Sequence, residues 1–253
     1  MNKIRHPYFW EKPQMARLWE THFGGTRPFF RRLFRVAFDR EHILVLKRPS
    51  DHQIAAELFW EDCSISGRKV ASISSFCVKP ELQRRGLGTE LLEFTHEYLK
   101  QKGYSGAVLV PQDEDMYWFY HYFGYEWAGF HDSFFAKKDG TAEMTSISPE
   151  EYHRLRREYL PENGLEIAPR YFHYRSDTLA YYRGNDFICA LEQGEVTECA
   201  ELLGNLDAAG GIVGYFDRPH LKFYTPGTGE QDAMLLDFGG NLPGEIYLGF
   251  TPE

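Results

Sequence analysis

Residues 81–90 carry the side chains and spacing best suited to chemistry, with Gln83-Arg84-Arg85-Gly86-Leu87-Gly88 at their centre. A β-like run over 70–78 leads in, and an amphipathic run leads out. Strand, basic glycine turn and helix N-terminus together make an anion cradle. The first N–H groups of a helix have no partner within it, and the helix dipole favours negative charge there. Gly86 and Gly88 let a phosphate approach the backbone without a Cβ in the way. Arg84 and Arg85 add charge-assisted hydrogen bonds. The stretch therefore predicts a phosphorylated cofactor. It is not a dinucleotide fingerprint, because Gly-x-Gly-x-x-Gly is absent and no acidic residue closes a nearby βαβ unit.

The neighbouring elements must position this turn. A helix is predicted from about residue 88 to 101, with Leu87, Leu91, Phe94 and Tyr98 on one face and Gly103 as its stop. Residues 107–110 read as a strand buried on both faces and ended by Pro111. Residues 113–123 read as a helix with acidic residues in its first turn. Upstream, residues 13–38 form two helices broken at Gly24-Gly25. Strands follow over 42–47, 54–63 and 69–78, with a turn over 48–52. A further strand starts at Gly124. The order α-α-β-β-β-α-β-α-β-β makes a mixed sheet: the strands flanking the cradle helix run parallel, and the earlier ones antiparallel. Residues 137–141 read as a linker. Beyond it come a helix over 149–159 capped by Ser148, strands over 186–191, 196–203, 221–224, 233–238 and 245–250, and a helix over 205–215 that Gly210-Gly211 weakens. The fold class is α+β: a mixed α/β sheet flanked by helices over 1–140, and a smaller β-rich domain over 141–253.

At this point the first half resembles the GNAT superfamily of acetyl-CoA-dependent N-acetyltransferases. The family signature is Gln or Arg, two residues, Gly, one residue, then Gly or Ala. It stands here as Gln83 to Gly88, just after Ser75-Phe76-Cys77-Val78. A second signature, Tyr, three residues, Gly, aromatic, stands as Tyr120-His121-Tyr122-Phe123-Gly124-Tyr125. The segment from Leu18-Trp19-Glu20 to Phe23-Gly24 is similar to the opening of bacterial members with a C-terminal extension. The resemblance covers roughly residues 10–140 and implies acetyl-CoA as the acetyl donor. Backbone amides over Arg84, Arg85, Gly86, Leu87, Gly88 and Thr89, with Gln83 in the motif, would hold the pyrophosphate. In the strand Phe76-Cys77-Val78, backbone groups of Phe76 and Val78 would meet the pantetheine arm, in a gap where that strand splays from the next. An N–H near Val78 would hold the oxyanion. Tyr120 would protonate the leaving thiolate, the phenol and thiol having pKa values within about two units of one another. Glu57 and Glu61 would relay the proton of the amine. One departure is Pro111-Gln112-Asp113, where the family often has Asn; Asp113 is a candidate helix cap. In the second half, residues 233–236 and 247–250 resemble a partial second GNAT-like unit, which would line the acceptor site. In some tandem members the terminal carboxylate enters the active site, which makes Glu253 a further candidate base.

Composition narrows the classes. The chain has 253 residues, 43% hydrophobic and 16% aromatic, enough to fill a core and too apolar for disorder. No run of 18 apolar residues predicts a membrane span. Cys63, Cys77, Cys189 and Cys199 form no zinc motif and read as reduced thiols, so a cytoplasmic protein is expected, with no metal. Residues 1–142 hold 20 Lys+Arg against 18 Asp+Glu, and residues 143–253 hold 8 against 19. The first half can host an anion, and the second would attract a cationic amine. So acidic a chain is a poor nucleic-acid binder. The reading is an acyltransferase that moves an acetyl group from acetyl-CoA to a primary amine of a small molecule or peptide by direct attack. Its alternative is a catalytically inactive acyl-CoA-binding regulatory module. Tyr120 as a plain core aromatic, and a homodimer, stay open.

Overall fold

The computed structural model describes residues 3–249 apart from 26, 38, 49–51, 195 and 197. Glu253 and the centre of the turn expected over 48–52 lie outside the described residues. Four antiparallel strands open the sheet: β1 (Lys3–Arg5), β2 (Ile43–Lys47), β3 (Ile54–Ile65) and β4 (Arg68–Val78). Two helices, α1 (Lys12–Phe23) and α2 (Arg27–Arg32), lie between β1 and β2. The side chains of Met15, Leu18 and Trp19 on α1 pack against Ile43, Val45, Phe59 and Cys77 on one face of the sheet. The opposite face is covered by α3 (Leu87–Gln101) and α4 (Glu114–Tyr122), where Leu91, Leu92, Leu99 and Tyr120 meet Leu58, Trp60, Ala71 and Ile73.

Between those helices runs β5 (Gly106–Leu109), parallel to β4 as the crossover requires. The pairing is short: only Val70–Ser72 meet Gly106–Val108. Beyond Ser72, β4 carries a bulge. Glu57 pairs with Cys77 but Phe59 pairs with Ser74, so β4 holds one extra residue, and Ser75 takes a φ of 53°. A bulge bends its strand and ends regular pairing. Here it turns β4 away from β5 and opens a gap between them.

The chain continues through β6 (Glu126–Lys137), β7 (Thr145–Ile147), α5 (Pro149–Tyr159), β8 (Leu165–Ile167), α6 (Pro169–Arg175), β9 (Leu179–Arg183), β10 (Phe187–Glu192), β11 (Glu198–Gly204), α7 (Ala209–Tyr215) and β12 (His220–Asp237). Sequence reading had no element for β7, β8, α6 or β9, whose three to seven residues are too few to show a period. The strands expected over 221–224 and 233–238 are one bulged strand, β12. Its Pro226-Gly227-Thr228-Gly229 interruption is held in the sheet by Asp132, whose Oδ1 accepts the N–H groups of Thr228 and Gly229 at 3.1 and 2.8 Å. The strand expected over 245–250 reduces to single bridges at Ile246 and Tyr247, and Phe250 lies outside the described residues. The helix expected over 205–215 starts as a 3-10 turn, Leu206–Ala208. Its glycine pair stays helical because the preceding connector packs directly on it, Asp139 and Ala142 donating N–H groups to the carbonyls of Gly210 and Gly211.

One twelve-stranded sheet runs through both halves. Along one edge β12 pairs with β6. Along its other edge it meets β11 at Lys222 and Phe223, then β5 at Met234–Asp237. Two arginines add a polar seam. Arg32 of α2 donates to the carbonyls of His173 and Tyr174 at 2.6 and 3.0 Å, and Arg170 of α6 donates to Glu61 and Asp39 at 2.5 and 3.1 Å. Among the described residues no helix is long and apolar enough to cross a membrane.

Candidate active site

The gap between β4 and β5 opens into a cavity of about 610 Å³, within the size range of small-molecule sites. At one end lies the glycine turn. Arg84 and Gly86 take left-handed φ values of 58° and 79°, and Gly86 is the N-cap of α3. No side chain caps that helix, and Glu90 is the first residue of α3 whose N–H reaches back to Gly86. Such an end offers free N–H groups to an anion. Gly88 also serves packing: a Cβ there would stand 3.3 Å from the Phe76 ring, which would have to give by a few tenths of an ångström.

Every cofactor-binding residue expected from the sequence lines this cavity except Arg85: Phe76, Cys77, Val78, Gln83, Arg84, Gly86, Leu87, Gly88 and Thr89 all do. The exposed Arg84 guanidinium lies 3.7 Å from the equally exposed Asp115 carboxylate across the cleft mouth. Strand alternation explains which backbone groups of β4 are free. Lys79 donates its N–H to Ala55 of β3, so Val78 turns its own N–H and C=O the other way, toward the gap. The Val78 carbonyl is already taken, accepting from His22 Nε2 at 2.8 Å and Gln83 Nε2 at 3.2 Å. Its N–H is the group left for a ligand.

Tyr120 lines the same cavity from α4, only 6% exposed, with its ring 6.3 Å from that of Phe76. Burial raises its phenol pKa, helped by the nearby Asp113 and Cys77. In the free protein that weakens it as an acid, against the near balance with a thiol expected from the sequence. Burial penalises any other anion formed beside it in the same way. Asp113 caps α4, its Oδ1 accepting the Met116 N–H at 2.8 Å, as its place in the sequence suggested.

The two carboxylates expected as bases are placed elsewhere. Glu57 and Glu61 lie on the α1 side of β3, and neither lines the cavity. Glu61 is bound to Arg170; burial raises its pKa against the pull of that arginine. Glu57 is fully buried behind Cys77, with Oε1 4.0 Å from the thiol and Oε2 without a hydrogen-bond partner. Burial drives its pKa well up, which favours the protonated carboxyl. Cys77 is pushed well up too, by burial and then by Glu57, so its thiol is a poor nucleophile. Sequence reasoning missed His22 and Phe23, the last residues of α1, which enter the cavity from the face opposite Tyr120. Their place just before Gly24-Gly25 marks a helix end, but no spacing tells which strand that end meets. Among the described residues, none beyond Tyr120 lines the cavity.

The site is thus a helix-terminus cradle leading into a splayed pair of parallel strands, with a buried phenol in the wall. Residues 3–128 match the acetyltransferase (GNAT) domain family. Across both halves the fold is similar to solved structures. A GCN5-related N-acetyltransferase from Kribbella flavida is 15% identical, with a TM-score of 0.71 over 93% of this chain and 70% of that one. Another from Anabaena variabilis is 16% identical, with a TM-score of 0.72 over 93% and 72%. Eis1 from Mycobacterium abscessus is 12% identical, with a TM-score of 0.72 over 94% and 73%. No curated protein sequence matches the chain. The chain belongs to the GNAT superfamily and is an acyltransferase.

Proposed function

We propose that the protein transfers an acetyl group from acetyl-CoA to a primary amine of a small molecule or peptide, by direct attack through a tetrahedral intermediate. The observation that carries this reading is the continuity of one cavity from the α3 N-terminus through the β4–β5 gap to Tyr120. The free N–H groups over Leu87, Gly88 and Thr89 would hold the pyrophosphate, and the gap would take the pantetheine arm. The Val78 N–H would hold the developing oxyanion. The amine nitrogen bonds to the thioester carbon, the C–S bond breaks, and the Tyr120 proton goes to sulfur. The phenolate recovers a proton from the attacking nitrogen, so the amide leaves neutral. The raised Cys77 pKa argues against an acyl-cysteine intermediate.

In this reading residues 1–140 form the acetyl-CoA-binding domain. Residues 141–253 form a partial GNAT-like unit that braces it through β12 and α6, rather than lining the cavity. Acetyl-CoA titration by calorimetry, with an amine-panel assay reading free thiol, tests the proposal. Tyr120→Phe is expected to lower kcat by about 10²-fold while acetyl-CoA affinity stays within about threefold. Cofactor binding without turnover of any amine would favour the inactive binding module, and an unchanged kcat would remove Tyr120 from the acid role.

A further inference from the structure

The cavity wall contains several titratable groups, and their positions divide the work. Tyr120, Asp113 and Asp115 lie on the α4 side. Asp113 is spent on its helix cap, and Asp115 is exposed beside Arg84. On the α1 side stands His22, half-buried, with its ring in the wall. A carbonyl can only accept, so the 2.8 Å contact to the Val78 oxygen places the imidazole proton on Nε2. In the neutral ring Nδ1 is then a lone pair, and it has no protein partner among the described residues. The same hydrogen bond ties the ring to the strand segment whose N–H faces the gap. Glu57 and Glu61, the carboxylates expected as bases from the sequence, lie on β3 outside the cavity, one with its pKa driven up by burial and one paired with Arg170.

We propose that His22 is the general base that takes the proton from the acceptor ammonium, with the acceptor entering from the α1 side beside Phe23. This rests on the acetyl-CoA reading above. The amine arrives as R–NH3+, loses one proton to His22 Nδ1 and attacks as R–NH2. The imidazolium, still donating from Nε2 to Val78, then returns that proton to solvent. Donor chemistry is thereby confined to the α3–α4 face of the sheet and acceptor chemistry to the α1 face.

The test compares benzylamine, an ammonium at neutral pH, with aniline, a neutral amine of similar shape. His22→Gln keeps a donor for the Val78 carbonyl but cannot act as a base. For benzylamine, kcat/KM is expected to fall by about 10²-fold and to lose the limb of its pH profile that belongs to the free enzyme. For aniline, which has no proton to lose before attack, the change should stay within about threefold. Equal losses for both amines, or an unaltered pH profile, would overturn the assignment and leave His22 a structural tie. If glutamine does not fold, His22→Asn carries the same readouts. A wild type that binds acetyl-CoA but acetylates neither amine at high concentration also overturns it, since a poised base beside a bound thioester would serve any small amine. Failure to bind acetyl-CoA at all would instead fault the donor reading.

Discussion

Glu57 and Glu201, one in each half of the molecule, are both completely buried, and their surroundings are opposite. Glu201 on β11 accepts from Arg156 Nε and Nη2 at 2.8 and 2.9 Å, from Tyr152 at 2.7 Å and from Tyr247 at 3.1 Å. The arginine also donates to the carbonyls of Leu165 and Leu248, so one polar cluster ties α5, β8, β11 and the 246–248 segment together. Glu57 on β3 has only the Cys77 thiol at 4.0 Å and an orphaned Oε2. A buried carboxyl whose oxygens are all hydrogen-bonded holds structure; one with an orphaned oxygen costs stability. The satisfied network lies outside the cavity between β4 and β5, and the orphan sits beside Cys77 of the strand that lines it. Under the proposed function the second half would be a brace, with the opening left to the first half.

The contrast predicts different costs. Removing Glu201 leaves Arg156 buried and uncompensated, so Glu201→Ala should destabilise the fold by about 3–5 kcal/mol in a denaturant melt. A loss under about 1 kcal/mol would mean that the cluster is wetter than its burial shows. Glu57→Gln should act in the other direction. The folded protein holds a proton on Glu57 that the unfolded chain releases above its ordinary carboxyl pKa. Wild-type stability from this group is therefore greatest at acid pH and declines as pH rises toward the raised folded value, by up to about 1.4 kcal/mol per pH unit. Glutamine removes that decline, so the variant should gain in Tm relative to wild type between pH 5 and pH 7. A parallel pair of curves would show that Glu57 is paired after all. The smallest effect concerns the acidic second half, with 8 basic against 19 acidic residues over 143–253. If it draws a cationic acceptor, kcat/KM should fall a few-fold as salt rises from about 0.01 M to about 1 M and the Debye length shrinks from roughly 30 Å to roughly 3 Å. A flat profile would leave the brace as its whole role.

The region around the cradle was the most legible. The α3 stripe of Leu87, Leu91 and Tyr98, the Pro80 and Gly103 stops and the unbroken apolar run of β5 are local signals, and the structure has each near its expected bounds. The bulge at Ser75 was not legible, because Ser and Phe are ordinary strand residues and the extra residue appears only against the partner strand. Alternation does put Glu57 and Glu61 on one face of β3, opposite Leu58 and Trp60. It does not say which face a helix will cover, and α1 with α6 closed over that one. For the same reason nothing in the sequence tells that His22, at the end of α1, meets Val78.

By itself the sequence determined the family, the mixed sheet and the donor cradle. Each depends on the order of residues within about twenty positions, where glycine, proline and apolar period act directly on the backbone. Tertiary structure alone decided that β12 closes the sheet against β5, a hundred residues and more away. It also decided that, among the described residues, His22 lines the cavity while Glu57 and Glu61 do not. Such long-range pairings are selected by which apolar faces exclude water from one another, a property of the whole packed molecule.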